Sequence, residues 1–430
     1  MIRKTTRGIC VWALSGMLVI SVAAGCGNAG SSSSTTSTPP PTGNNVAAIT
    51  VNGGPATGDG VPYPNGAFTS VTICVPGSTT NCQTIDGILV DTGSFGLRIQ
   101  SSALTLSLPQ QVDANNNPIV ECGEFGSGFT WGPVQTADMT ISGEAASSLP
   151  IQVVGSPNYP DTDADGAATC SNGEAGTVYD LNSVENMGAN GILGVGLLAQ
   201  DCGSACTLSG PSNPDLYYSC PTAATCAATT EALTSQVVNP VALFATDNNG
   251  VIVELPAVAA ATATTSVNGY LIFGIGTETN NGLGTATVYG VDPNTGNFTT
   301  VYNNVSYDDA SFIDLGSEVI FFLDPTTTGM LTCQNISSLY CPTSNTTFSV
   351  TNEGTNGNSG TISFVVGNGE SLTSNSSYNA INGLAGPLSG TFDWGLPFFF
   401  GRNVYTAIDC QNPPNNCQTT PAGTGPYWAY

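Results

Sequence analysis

Histidine is missing altogether from this 430-residue chain, and only five Lys or Arg stand against 30 Asp or Glu. Without imidazole, neither a Ser-His-Asp nor a Cys-His nucleophile can be assembled, nor a zinc site with imidazole ligands. The five bases are Arg3, Lys4, Arg7, Arg98 and Arg402. With no lysine beyond position 4 a Ser-Lys dyad is excluded, and no phosphate-cradling loop ending in Lys-Ser/Thr occurs. Two arginines outside the first few residues cannot neutralise a nucleic-acid backbone, which argues against nucleic acid as a partner. Acid–base chemistry in this chain falls to carboxylates.

Two aspartates sit in the same apolar frame, Ile88-Leu89-Val90-Asp91-Thr92-Gly93-Ser94 and Phe312-Ile313-Asp314-Leu315-Gly316-Ser317. In each, an apolar run leads into Asp-x-Gly-Ser and resumes behind it (Leu97 and Ile99; Val319, Ile320 and Phe321). The pattern predicts a strand that delivers a carboxylate to a tight turn, where Gly allows the turn and Ser bonds the outer carboxylate oxygen. Two such turns face to face make a pair that does not readily ionise twice. One acid and one base acting on a single water form a hydrolytic site. The plainer reading is two ordinary Asp-Gly turns.

Arg3, Lys4 and Arg7 precede an apolar run from about Ile9 to Ala24, and Ala23-Ala24-Gly25-Cys26 follows. This predicts a signal peptide over residues 1–25, too short and wrongly flanked to span a membrane. Cys26 after Ala-Gly resembles the lipobox of bacterial lipoproteins, which implies lipidation of Cys26; cleavage without lipid is the alternative. Residues 26–45, with Ser31 to Thr36 and Pro39-Pro40-Pro41, are expected to be a tether. The chain is then lipid-anchored in a bacterial cell envelope and meets the membrane through that lipid alone. The acid excess suits an acidic medium, where protonation relieves self-repulsion.

Setting aside Cys10 and Cys26, twelve cysteines remain, an even count that reads as a disulfide framework in an exported chain. Sequence proximity suggests Cys74/Cys82, Cys202/Cys206, Cys220/Cys226, Cys333/Cys341 and Cys410/Cys417, leaving Cys122 for Cys170. Connectivity is not deducible from sequence, so these pairings are expectations. Asp161, Asp163 and Asp165 precede Gly166 at alternate positions, as in calcium loops, but the twelfth position is Asn172, and a solvated acidic loop is the simpler reading.

The rest is strand-like: short runs of Val, Ile, Thr and Tyr separated by Gly, Asn, Pro and Ser. The best helical stretch lies at Pro240–Ala245, ended by Asp247-Asn248-Asn249-Gly250. An all-β chain with a few short helices is expected.

On these motifs the chain resembles the pepsin-like aspartic proteases. Asp91-Thr92-Gly93-Ser94 and Asp314-Leu315-Gly316-Ser317 resemble that family's two catalytic loops, and Phe125-Gly126-Ser127-Gly128 stands where it carries a substrate-closing flap. Gly191 to Gly196 looks like the segment passing behind the first aspartate. Tyr270 to Gly276 resembles the strand closing the first lobe, and Phe398 to Asp409 the strand after the last helix. The resemblance implies a monomeric, bilobal double β-barrel, with a first lobe over residues 46–280, a second over 281–430, and a cleft between them. It implies catalysis by Asp91 and Asp314, support from Thr92, Gly93, Ser94, Gly316 and Ser317, and substrate contact by Phe125, Gly126 and Arg98; for Arg98, as for Arg402, structural pairing with one of the many carboxylates is the plainer reading. A peptide or protein would be the substrate, with no cofactor or catalytic metal. With its lipobox the chain also resembles a group of uncharacterised bacterial lipoproteins.

The chain departs from the protease pattern at three places. Leu315 replaces a Thr that braces the paired loops, Phe125 replaces the flap Tyr, and Arg98 replaces that Tyr's Trp partner. A Phe125–Arg98 stacking contact could replace the lost hydrogen bond. Two functions therefore stand: an acid endopeptidase, or a non-cleaving surface lipoprotein that binds a protein or polysaccharide.

Overall fold

A computed structural model describes residues 41–55, 63–160, 170, 179–410 and 417–430. Cys26, the leader, most of the tether and the acidic triplet Asp161, Asp163 and Asp165 lie outside the described residues.

The chain is mostly β, as its composition predicts, and the helices given among the described residues are of only one turn. One extended sheet of 16 strands covers the first half and recruits the C-terminal strands, and a seven-stranded sheet forms most of the second half. The sequence division at residue 280 is not a division of hydrogen bonding. Strand Asn403–Ala407 pairs antiparallel with Gly250–Glu254, and Tyr427–Ala429 pairs with Asn403–Ala407. The free edge of Gly250–Glu254 would otherwise expose its backbone polar groups, and the C-terminal strands cover it.

The same three-strand arrangement occurs in both halves. Strand Cys82–Asp91 runs parallel to Gly191–Val195, which pairs antiparallel with Phe95–Gln100 on its other side. Strand Val305–Ile313 runs parallel to Leu388–Trp394, which pairs antiparallel with Ile320–Leu323. Each aspartate loop is therefore slung between two strands that flank a third. Glycine makes the crossing possible in both. A Cβ on Gly194 would stand 2.6 Å from the Phe95 nitrogen, and one on Gly395 would stand 2.0 Å from the Val319 carbonyl oxygen.

Behind the loops the apolar approach residues fill the core. Ile88 and Val90 are buried in the first half, and Ile313, Leu315 and Ile320 in the second. The second loop rests on an aromatic cluster, with Phe322–Phe348 centroids 5.0 Å apart and Phe364–Trp394 centroids 5.4 Å apart. All six disulfides follow the expected pairing, including Cys122–Cys170.

Two local expectations are corrected. Pro240–Leu243 makes one 3-10 turn instead of a helix: Phe244 N–H bonds Val241 O three residues back, and the Asn239 side chain caps the turn. The late strand begins at Asn403, because Leu396–Phe398 is itself a 3-10 turn containing Pro397. Among the described residues no helix is long and apolar enough to cross a membrane.

Candidate active site

Asp91 ends its strand and Asp314 follows the end of the equivalent strand, so both carboxyl groups arrive at the floor of one cleft. Each is held by its own loop in the same way. Gly93 N–H donates to Asp91 Oδ1 at 2.8 Å and the Ser94 hydroxyl to Oδ2 at 2.5 Å. Gly316 N–H donates to Asp314 Oδ1 at 2.7 Å and the Ser317 hydroxyl to Oδ2 at 2.8 Å.

Each loop's glycine also lies against the other loop's carboxyl. A Cβ on Gly93 would stand 2.6 Å from Asp314 Cγ, and one on Gly316 would stand 2.7 Å from Asp91 Cγ. The two carboxyl groups therefore face each other on the cleft floor. Burial, and then the facing Asp314 charge, push the Asp91 carboxyl well above the usual range.

Residues from both halves lock the loops together. The Thr92 hydroxyl donates to the Ile313 carbonyl at 3.1 Å and accepts from Leu315 N–H at 2.9 Å. Leu315, which has no hydroxyl to reciprocate, is fully buried in the main apolar core. A second clamp comes from Tyr63 and Asn65. Tyr63 donates to the Gly316 carbonyl at 3.1 Å. Asn65 Nδ2 donates to the carbonyls of Glu318 and Ile381, and its Oδ1 accepts from Ile381 N–H at 2.7 Å.

The cleft, of about 490 Å³, is closed from one side by the hairpin of Ile119–Phe125 and Gly128–Ile141. Glu124, Phe125, Gly126 and Ser127 at its tip line the space, which Phe312, Phe321 and Leu388 border from the second half. Phe125 and Gly126 thus stand at the tip of a hairpin that borders the cleft.

Of the two readings of Arg98 the structural pairing holds, and substrate contact is corrected: Arg98 does not line the cleft. It is 3% exposed, beneath the hairpin, and pairs with Glu121 and with Asp201 at 3.2 Å. Its Cζ lies 5.4 Å from the Phe125 ring centroid. The reason is charge: a buried guanidinium needs acceptors, and Glu121, Asp201 and the Phe95 carbonyl supply them.

Sequence reasoning missed Tyr63, Asn65 and Asp393. Asp393 lines the cleft and joins the Asp314 loop through Ser317. Its signal was Trp394-Gly395, the second-half counterpart of Leu193-Gly194, which the matched register reveals. Asn65 and Tyr63 act across more than 250 residues of sequence and leave no local pattern.

Comparison with known proteins adds a family. One solved structure, an aspartic proteinase from Irpex lacteus, is similar at 15% sequence identity with a TM-score of 0.47, over 84% of this chain and 93% of that one. No curated protein matches by sequence. The family model described as "Protein of unknown function (DUF3443)" matches residues 41–430, and the chain belongs to that family.

Proposed function

We propose that this protein is an exported, membrane-tethered aspartic endopeptidase that hydrolyses peptide bonds at acidic pH. The observation that carries the reading is the facing pair Asp91 and Asp314, each bound by its own Gly N–H and Ser hydroxyl on the floor of a two-sided cleft. An extended peptide would lie between the hairpin tip and the carboxyl pair, and a water between the carboxyls and the scissile carbonyl.

The ionised carboxylate takes a proton from that water as its oxygen bonds the carbonyl carbon, while the protonated partner gives its proton to the carbonyl oxygen. Collapse of the tetrahedral gem-diol then breaks the C–N bond as the carboxyl that took the water proton gives it to the leaving nitrogen, while the other carboxylate takes a proton from a gem-diol hydroxyl that becomes the product carbonyl, so the pair again holds one proton. Burial and the Asp314 charge draw the shared proton towards Asp91. With that proton on Asp91, Asp314 serves as the base; the loop bonds, two donors to each carboxyl, are the same for both. Activity falls once both carboxyls ionise.

Export and anchoring rest on the leader and Cys26. We place the protein in a bacterial cell envelope as a monomer held by lipid alone. Phe125 favours a second reading, a non-cleaving binder of protein or polysaccharide, since it offers the cleft no hydroxyl.

The test is cleavage of a mixed peptide library from about pH 3 to pH 7, the range of a shared-proton carboxyl pair, alongside Asp91→Asn and Asp314→Asn. Cleavage at acidic pH that disappears in both variants supports the endopeptidase. A folded wild type that cleaves nothing sinks it in favour of the binder.

A further inference from the structure

Ser317 has one hydroxyl hydrogen and two carboxyl neighbours. Its Oγ lies 2.8 Å from Asp314 Oδ2 and 2.6 Å from Asp393 Oδ2. One hydrogen cannot serve two ionised carboxylates, so one of the carboxyls must itself donate to the serine oxygen.

The surroundings favour Asp393 as that donor. It is 5% exposed and sits on the central strand Leu388–Trp394, between Phe312 on one neighbouring strand and Phe321 on the other. Its Oδ1 is buried without a hydrogen-bond partner. The charged groups that face it, Asp314 and Asp91, are both acids. Neither arginine of the described residues forms an ion pair with it: Arg98 is held by Glu121 and Asp201, and Arg402 lies over the Phe398 ring at 4.5 Å. An ionised Asp393 would be an unpaired charge among apolar rings and like charges. Asp314, by contrast, receives Gly316 N–H as well as Ser317.

We propose that Asp393 is a positioning residue of the carboxyl pair, a neutral acid whose O–H donates to Ser317 and so commits the serine hydrogen to Asp314. The proposal rests on reading Asp91 and Asp314 as the working pair. Burial, with the Asp314 charge next, pushes the Asp393 carboxyl in the required direction. In the first half the equivalent strand position is Ile192, an apolar side chain that also lines the cleft. The two loops are therefore built alike but backed differently: Asp91 by hydrocarbon, Asp314 by a serine relay to a third acid. When Asp393 ionises, it competes for the Ser317 hydrogen and adds a negative charge beside the pair.

Two measurements on the full chain test this. In a carboxyl-carbon NMR titration of wild type and Asp393→Asn, one wild-type aspartate should keep its proton well above the ordinary carboxylate range, and its signal should be missing from the variant. If the missing signal titrates in the ordinary range, the proposal is overturned, whatever the protein cleaves. In peptide cleavage, Asp393→Asn can still donate to Ser317 and should keep kcat within about threefold. Asp393→Leu should lose roughly ten- to a hundredfold in kcat with KM little changed, the scale of a hydrogen bond to a charged group. Equal loss in both variants, or loss in neither, removes the positioning role. A wild type that cleaves nothing refutes the endopeptidase, while the titration still decides the proton on Asp393.

Discussion

Thr92 reaches across the molecule to Leu315: its hydroxyl accepts the Leu315 N–H at 2.9 Å while donating to the Ile313 carbonyl. One hydroxyl thus satisfies both backbone groups on either side of Asp314, and the brace is complete in one direction. Leu315 contributes packing to the core instead of a second brace.

Thr92→Val keeps the shape and removes the hydroxyl. It leaves Leu315 N–H buried and unmatched, so a loss of about 1–3 kcal/mol in denaturant unfolding is expected. Cleavage should fall as well, since Asp314 is no longer fixed against Asp91. An unchanged unfolding midpoint would mean that the cross-molecule bond adds nothing.

Gly93→Ala places a methyl carbon 2.6 Å from Asp314 Cγ. Backbone and carboxyl must separate to admit it, so cleavage should drop by a hundredfold or more, about the effect of a 1 Å misplacement at a reacting centre. Gly282→Ala, outside the cleft and with no heavy atom within 4 Å of the new carbon, is the control and should retain activity. Parallel kinetics of the two variants check the contrast; equal losses would point to general loop rigidity instead of carboxyl contact.

Arg98→Met removes the only cation between Glu121 and Asp201 among the described residues. Two buried acids are then left without their partner, and a loss of roughly 3–5 kcal/mol at neutral pH is expected. The loss should shrink in acid as Asp201 takes up a proton. Chemical denaturation at two pH values measures both effects, and a pH-independent loss would show that Arg98 acts through packing alone.

Stability should pass through a maximum in mild acid. Asp91, Asp201 and Asp393 hold their protons more tightly folded than unfolded, first because they are buried. Their contribution is complete below the unfolded aspartate value of about 3.9 and is lost as pH rises through the higher folded values. Glu144, pushed up to about 7 by burial and by Asp247, acts in the same sense. Asp113 opposes them: Asn117 N–H, then Ser219, lower it to about 2, so its contribution is lost as pH falls from about 4. Thermal unfolding should give a Tm that declines from about pH 5 to about pH 8. A Tm rising steadily over that interval would mean the buried acids are ionised in the folded protein.

Much of the candidate site is legible in sequence because its parts are local. Asp-x-Gly-Ser is complete within four residues: the glycine N–H and the serine hydroxyl that hold each carboxylate come from the same turn. The apolar residues before each aspartate mark a buried strand by themselves, and short spacings suggested five of the six disulfides. For Arg98 the sequence leaves structural pairing and substrate contact both open, because one-dimensional distance from Asp91 cannot show which side of the strand meets the cleft. Its partners Glu121 and Asp201 lie 23 and 103 residues away.

The sequence by itself determined that any acid–base chemistry here belongs to carboxylates, since it holds no histidine and almost no base, and it marked the two turns that carry them. Only the tertiary structure decided that these turns face each other, that Tyr63 and Asn65 clamp the second one, and that a third acid, Asp393, stands behind Ser317. The physical reason is the range of the interactions. A turn is set by bonds between near neighbours, whereas the state of a buried carboxyl depends on which distant groups the sheet brings against it.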